Sequence, residues 1–410
     1  MGHKGIKMGI VVHKYGGSSV ADANKISNVA RRIVESYKQG FQVVAVVSAM
    51  GKTTDDLINL ANSLNTDPSP REMDLLMSTG EIVSCSLVSM AVSSLGFKSI
   101  ALTGEQAGVR TDQLHTKARI NKMVPARINK ELDEGKIVVV AGFQGVNEDN
   151  EVTTLGRGAS DLSAVALAIG LNADRCEIYT DVEGIFDADP NIVKNAQLLP
   201  YISFEEMLEM ANYGAKMQPR SIELAAAYNM PIFVKSSFKD GQGTIIGGEN
   251  TMENDNRVNA VTVDKNVAKI TILSVPDKPG VAVSIFKPLS EKGISVDTIV
   301  QNAGSNNITD LTFTVARSDL NSTIEIIKDL IESIGAKGFE TNSNLVKISV
   351  IGTGMQNNPG YATSMFGALA DNGVNIELIT TSEIRITCII DENQIETAAN
   401  ALHSVFGLSK

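Results

Sequence analysis

In Ile10-Val11-Val12-His13-Lys14-Tyr15-Gly16-Gly17-Ser18-Ser19 an apolar run gives way to a lysine and then to a pair of glycines. Ile and Val favour a strand, and the glycines let backbone N–H groups close in on whatever the lysine faces. A fixed ammonium beside exposed N–H groups suits an anionic phosphate. The stretch therefore predicts a nucleotide docked at the first β–α turn and a phosphoryl-transfer enzyme. A glycine-rich turn with a surface lysine fits the same residues, because short glycine motifs recur by chance.

Outward from this stretch, short apolar runs alternate with helical patterns as far as about Gly243. Strands are predicted at Ile10–Lys14, Gln42–Ser48, Lys98–Leu102, Lys136–Gly142, Arg175–Thr180 and Pro231–Lys235. Between them lie predicted helices at Asp22–Lys38, Thr54–Leu64, Arg71–Leu95, Leu162–Gly170, Phe204–Met210 and Pro219–Tyr228. This alternation indicates an α/β fold, a parallel sheet in a sandwich, with ligands at the carboxyl ends of the strands. In the third helix, Met73, Leu76, Gly80, Val83, Leu87 and Met90 recur at the spacing of a core face.

Bulk properties narrow the class. A chain of 410 residues, 43% apolar, has ordinary globular composition and the length of two or three domains. A net charge of −11 and a pI near 5.0 disfavour nucleic acid as a partner. No apolar run approaches the roughly 18 residues of a membrane span. Met1–Ile6 lacks a signal-peptide core, and Ile6 stands where an acylation signal needs Ser or Thr, so a cytoplasmic protein is expected. Cys85, Cys176 and Cys388 are scattered and odd in number, so no disulfide framework is implied. His3, His13, His115 and His403 never pair at ligand spacing, so no protein-held transition metal is expected.

Lys239–Asn256 reads as a polar, glycine-rich linker that contains Met252, a possible start of a separate subunit. Beyond it an internal repeat begins. Pro279-Gly280 returns as Pro359-Gly360, and at the same offset Ala282 meets Ala362, Phe286 meets Phe366, Leu289 meets Leu369 and Gly293 meets Gly373. Each copy reads strand, turn, helix, strand, strand, helix. Two copies are too few for a solenoid and fit a paired regulatory module. The helix start after each Pro-Gly offers N–H groups to a carboxylate.

Several polar clusters fall at predicted strand ends. In Ser48-Ala49-Met50-Gly51-Lys52-Thr53-Thr54-Asp55 the glycine that a P-loop needs would fall at Val46, so this is no P-loop, though Ser48 and Thr54 can line a pocket. Thr54 also fits a plain helix N-cap. Gly156-Arg157-Gly158-Ala159-Ser160-Asp161 presents an arginine on a tight turn at a helix start, suited to a bidentate grip on a carboxylate. Ser160 or Asp161 can cap that helix. Tyr179-Thr180-Asp181 opens a long acidic loop through Phe186 to Pro190, and Gly214-Ala215-Lys216 offers a second lysine on a turn.

Together these motifs resemble the amino-acid kinase family, and within it the aspartokinases. The likeness runs in order through Lys14–Ser18, Ser48–Asp55, Ser78–Glu81, Gly156–Asp161, Thr180–Ile185, Gly214–Lys216 and Ser236–Phe238, followed by two ACT-type repeats. It implies a three-layer αβα sandwich over residues 1–245. Residues 246–264 would form a linker plus a strand lent to the second ACT unit. Residues 265–338 and 339–410 would be two ferredoxin-like ACT units.

The resemblance also implies transfer of a phosphoryl group from ATP, carried with Mg²⁺, to the side-chain carboxylate of L-aspartate. The product would be 4-phospho-L-aspartate, at the first step of lysine, threonine and methionine biosynthesis. By position, Lys14, Gly16, Gly17 and Ser18 would hold the phosphoryl group and Asp161 would orient Lys14. Ser48 would complete the catalytic set. Glu81 would take the substrate ammonium, Arg157 the α-carboxylate, and Thr54 and Ser160 the rest of the pocket. Thr180, Asp181, Phe186 and Lys216 would line the ATP site. Effector candidates are Asp277, Gly280, Ala282, Asp297 and Gln301 in the first unit, with Asn375, Ile376 and Ser382 in the second; lysine, threonine or both would bind there. A homodimer or larger homo-oligomer through the ACT units is implied, with no nucleic-acid or membrane partner.

The sequence differs from the family pattern at Ala159, Phe186, Asn191 and Gln218. The departures at Ala159, Phe186 and Gln218 motivate one alternative, a non-catalytic amino-acid sensor with a degenerate kinase domain.

Overall fold

The computed structural model describes residues 9–247, 257–302, 307–353, 355 and 359–408. His3, Ile6 and the linker segment 248–256 with Met252 lie outside them. The chain divides into two compact units.

The first unit comprises Met1–Ile185, Leu198–Ala211 and Lys216–Thr251. Its main sheet has eight strands in the order Tyr201–Ser203, Thr244–Gly247, Ile232–Ser236, Arg175–Thr180, Ile10–Tyr15, Gln42–Val47, Ile137–Ala141, Ser99–Leu102. Neighbours run parallel except Ile232–Ser236 and Thr244–Gly247. Val43–Val47 is fully buried, as a strand with helices on both faces must be, which is why it reads as an unbroken apolar run. Register then assembles the site. Lys14 lies level with Val46 on one side and Ile178 on the other, and Tyr15 with Val47 and Tyr179. The residues that follow these three strands, Gly16, Ser48 and Asp181, thus leave the sheet at one edge.

Three predictions need correction. Thr244–Gly247 was read as linker but forms a strand, satisfying the free edge of Ile232–Ser236. A second sheet of four strands, Ile120–Met123, Val109–Thr111, Gln144–Val146 and Val152–Thr154, is absent from the predicted strands. Strands of three or four residues are too short to show a period of two.

The third correction concerns the helix Pro70–Ser94. Its buried face is Asp74, Met77, Ser78, Gly80, Glu81, Ser84, Cys85, Val88, Ser89 and Val92, while Val83, Leu87 and Met90 are exposed. Close packing chose the face with small side chains: a Cβ on Gly80 would meet the Ala49 methyl at 2.9 Å. By length and composition this helix could also cross a membrane, but half of its most apolar window is buried inside the protein.

Alternation along the first strand turns His13 and Tyr15 away from the face of Lys14. They join a buried polar cluster. His13 Nδ1 lies 3.2 Å from Tyr15 Oη, Tyr179 Oη donates to Glu177 at 2.6 Å, and Arg175 donates to Glu177 at 2.6 Å. Burial pushes the His13 pKa down to about 4, and Glu177, despite its burial, is held down to about 2 by His13, Tyr179 and the cations Lys235 and Arg175. Both groups take up protons more readily when the chain unfolds. Stability should therefore fall as pH drops from about 6.5 to 4 through His13, and further toward pH 2 through Glu177. Each contributes a slope of at most about 1.4 kcal/mol per pH unit. Urea unfolding of His13→Gln followed by fluorescence should show a flatter slope between pH 6.5 and 4 than the parent; equal slopes would remove His13 from the account.

The second unit comprises Phe186–Gln197, Asn212–Ala215 and Met252–Lys410. Its six-stranded antiparallel sheet runs Val296–Gln301, Ile308–Val315, Ala260–Pro276, Gly338–Ile351, Arg385–Asp391, Leu378–Thr381. One strand serves both repeats: residues 260–264 pair with Ile351–Lys347, and residues 268–276 with Val315–Ile308. Each repeat covers its half with two helices, Val281–Glu291 and Leu320–Ile334 in one, Tyr361–Asp371 and Ile395–Val405 in the other. The eighty-residue offset matches buried positions: Ile285 with Met365, and Leu289 with Leu369. Ala188 and Val193 enter the core of the second repeat, and Asp187 accepts hydrogen bonds from Gln197 N at 2.8 Å and His403 Nε2 at 3.2 Å.

Candidate active site

Lys14 projects from the end of its strand to Asp161, with Nζ 2.6 Å from Oδ1 and both side chains about one-tenth exposed. Asp161 lies in the first turn of the helix Ser160–Gly170, whose N-cap position is Ala159, without a side-chain cap bond. The capping roles read for Ser160 and Asp161 are thus not taken; the carboxylate goes to the lysine instead. Thr54 is likewise no N-cap, since the helix Thr53–Leu64 is entered from Lys52, and Thr53 Oγ donates to the Met50 carbonyl at 2.7 Å.

The glycine pair divides its work. Gly16 N–H donates to the Tyr179 carbonyl at 3.3 Å, so it is already engaged. Gly17 is held by close approach: a Cβ there would meet the Ala49 carbonyl at 2.7 Å, while its own carbonyl accepts from Gly51 N–H at 3.0 Å. The phosphate turn and the Ser48–Asp55 loop are therefore one knitted surface. Ser18 is exposed, and Ser19 is buried with its Oγ 2.6 Å from Ser237 Oγ. Ser48 N–H donates to the Tyr15 carbonyl at 3.1 Å, which fixes where its side chain starts.

Below that loop, Ala49 N–H donates to Glu81 Oε1 at 3.0 Å, and Glu81 is 3% exposed. Its other oxygen has no hydrogen-bond partner among the described residues. Burial pushes the Glu81 pKa up to about 7, only partly offset by the Ala49 N–H. A buried carboxylate with an orphaned oxygen is an acceptor waiting for a donor.

Arg157 stands between Gly156 and Gly158, both at left-handed φ (+96° and +75°), and is 75% exposed at its side chain, with Nη2 3.0 Å from Asp55 Oδ1. An exposed pair of this kind contributes little and exchanges readily for another carboxylate. Ser160 is buried, with its Oγ 3.0 Å from where a Cβ on Gly142 would be. Thr180 Oγ donates to Asp181 Oδ1 at 3.2 Å at the end of the neighbouring strand. Lys216 is exposed within the first unit, whereas Phe186, read with the nucleotide site, belongs to the second.

Asp74 was missed by the sequence reading. It is fully buried and accepts from Thr116 N–H, Thr154 Oγ and His115 Nδ1, the last at 2.8 Å, so it ties the helix Pro70–Ser94 to the strand that leads into the arginine loop. No motif flags an aspartate whose partners are 41 and 80 residues away.

In the second unit, Gln301 Nε2 lies 3.5 Å from Asp277 Oδ1, Asp297 pairs with the buried Lys347, and Gly280 and Ala282 sit at a helix start. A cavity of about 500 Å³ beside the second Pro-Gly turn is lined by Gly360, Tyr361, Ser382 and Glu383 among others; it includes Ser382 but neither Asn375 nor Ile376.

Comparison with known proteins gives the family of the chain. The model of the amino acid kinase family matches residues 9–236, and ACT-domain models match residues 269–332 and 348–406. Aspartokinases of Mycolicibacterium smegmatis and Corynebacterium glutamicum are each 49% identical over 407 residues, covering 98% of this chain and 97% of theirs. The chain belongs to the aspartokinases of the amino acid kinase family. As an aspartokinase it is a phosphotransferase with a carboxyl group as acceptor. The crystal structure of E. coli aspartokinase III in complex with aspartate and ADP shares the fold, with a TM-score of 0.82 at 24% identity over 97% of this chain and 100% of that one. Aspartate kinase from Synechocystis aligns at 41% identity and a TM-score of 0.54, over 97% of this chain and 69% of that one.

Proposed function

We propose that this chain transfers the γ-phosphoryl group of ATP to the side-chain carboxylate of L-aspartate, giving 4-phospho-L-aspartate and ADP. The observation that carries this reading is the Lys14–Asp161 pair at one edge of a surface that also presents Glu81 and Arg157. The substrate carboxylate oxygen attacks phosphorus as the bond to the β-phosphate oxygen breaks. No proton moves, because a carboxylate is already ionised at neutral pH. Catalysis is then positioning and charge neutralisation.

Each residue has a task in that scheme. Lys14, locked by Asp161, meets the charge that spreads over the transferring group. Gly17 lets the backbone pass close enough to line it. Glu81 accepts the substrate ammonium on its orphaned oxygen. Arg157 exchanges Asp55 for the α-carboxylate, and Ser48, Thr54 and Ser160 fill the pocket between. Thr180, Asp181 and Lys216 border the nucleotide.

Mg²⁺ would arrive on the phosphates and neutralise part of their charge. Among the described residues no three His, Cys, Asp or Glu side chains converge to hold a metal, and the exposed Asp181 is one carboxylate at that edge that could face it. Arg157→Ala should raise KM for aspartate about 100-fold while kcat changes less than threefold, since the guanidinium holds a part of the substrate that does not react. Steady-state ADP release checks this, and an unchanged KM would reassign the arginine.

The ACT units would bind an amino-acid end product, lysine and/or threonine, and join subunits into a dimer or larger oligomer in the cytoplasm. The activity would stand at the head of lysine, threonine and methionine synthesis. E. coli aspartokinase III has been solved in complex with lysine and aspartate, and that fold aligns here with a TM-score of 0.77. The cavity beside Gly360 and Ser382 supports the effector reading. Against the sensor alternative stand the aspartokinase relatives that match over nearly the whole chain, and the Lys14–Asp161 pair with the buried Glu81 supports the catalytic reading.

A further inference from the structure

A groove of about 880 Å³ lies in the first unit between the helices Ser160–Gly170 and Pro219–Ala227 and the strand Ile120–Met123. That volume is typical of small-molecule sites. Leu162, Ile169 and Leu224 give it an apolar floor, and Tyr228, 64% exposed, stands at its rim.

Its charge is the informative property. Lys117, Arg119, Lys122, Arg157 and Arg220 line the groove against a single carboxylate, Glu223, on a chain whose net charge is −11. Lys117, Arg119 and Lys122 have no ion-pair partner among the described residues. Arg220 is half-buried and committed to the backbone, donating to the carbonyls of Leu155 at 2.7 Å and Ala118 at 2.9 Å. Burial and the nearby Arg119 both lower its pKa, and Glu223 and Asp112 oppose them. Unpaired cations gathered along one groove raise the local positive potential and favour an anion there.

The groove shares Arg157 with the proposed aspartate pocket but lies off the phosphoryl-transfer centre. Neither Lys14 nor Asp161 lines it. Leu162, Ala166 and Ile169 recur at helical spacing along one stripe, while Asp161 leaves the same helix toward Lys14.

We propose that this groove binds a small organic polyanion, with an apolar or aromatic body against Tyr228 and Leu224 and two or more anionic groups on Lys117, Arg119 and Lys122. The inference stands independently of the phosphoryl-transfer reading.

Calorimetric titration of benzene-1,3,5-tricarboxylate, and separately of inorganic pyrophosphate, into the full chain tests it. The tricarboxylate should bind once per chain. Its affinity should fall at least tenfold in Lys117→Ala/Arg119→Ala/Lys122→Ala, whose altered side chains are exposed and whose folding circular dichroism checks. Lys14→Met should bind it as the parent does. Tyr228→Ser should weaken the tricarboxylate and leave pyrophosphate unaffected, separating the aromatic contact from the ionic one. Absence of saturable binding, equal affinity in the triple variant, or loss of binding in Lys14→Met would each overturn the proposal.

Discussion

Lys14→Met should lower kcat for aspartate-dependent ADP formation by about 10²–10³-fold, with KM for aspartate changed less than threefold. Methionine keeps the length and apolar stem of the side chain and removes only the charge. The magnitude follows from placement: Nζ is 2.6 Å from Asp161, and both side chains are about nine-tenths buried, so the ammonium acts from a fixed position with little water to screen it. Charge on the transferring group grows only as the transition state forms, so the loss should appear in kcat and not in substrate affinity. Lys14→Arg should not restore activity, because a planar guanidinium cannot occupy the point position of the ammonium beside Asp161. Asp161→Asn should produce a smaller fall in the same parameter, since it frees the lysine without discharging it. Rapid-quench measurement of the phosphoryl-transfer step would decide: an unchanged single-turnover rate in Lys14→Met would sink the assignment.

The second large effect should come from Glu81. Its carboxyl is pushed up to about 7 by burial, so in the free enzyme it is mostly protonated at pH 6 and mostly ionised at pH 8. Pairing with the substrate ammonium requires the ionised form. Below about pH 7, kcat/KM for aspartate should therefore fall close to tenfold per unit, and aspartate binding near pH 6 should release a proton. Titrations in buffers of different ionisation enthalpy would show that release. Glu81→Gln should raise KM for aspartate by about 10²-fold and flatten the acid limb of the profile. An acid limb that survives in Glu81→Gln would assign the titration to another group.

These two residues differ in how visible they were. Lys14 announced itself through its position after an apolar run and before two glycines. Glu81 was found only through resemblance, because its own helix hid it. The stripe Met73, Leu76, Gly80, Val83, Leu87 and Met90 has the spacing of a core face, yet Val83, Leu87 and Met90 are exposed and Glu81 and Ser84 turn inward beside Gly80. Periodicity locates an apolar side of a helix. It does not know that a neighbouring loop needs a small, polar side to pack against.

The same limit applies to Asp161. Sequence left it poised between a helix cap and a partner for Lys14. Register decided, by setting the strand that carries Lys14 beside Gln42–Val47 and Arg175–Thr180 with the helix Ser160–Gly170 over its end.

The sequence alone determined the alternation of strands and helices, the parallel sheet, the two-copy carboxyl-terminal repeat and the residues at which the chemistry begins. Those are local properties, written in propensity, period and glycine placement. Only the tertiary structure decided that Gly16 is engaged by Tyr179 while Gly17 is packed against Ala49, that Asp74 ties the site's floor to the arginine loop, and that Phe186 belongs with the regulatory unit. Each of these joins residues far apart in the chain. Their energies arise from burial and contact, quantities that do not exist until the chain has folded.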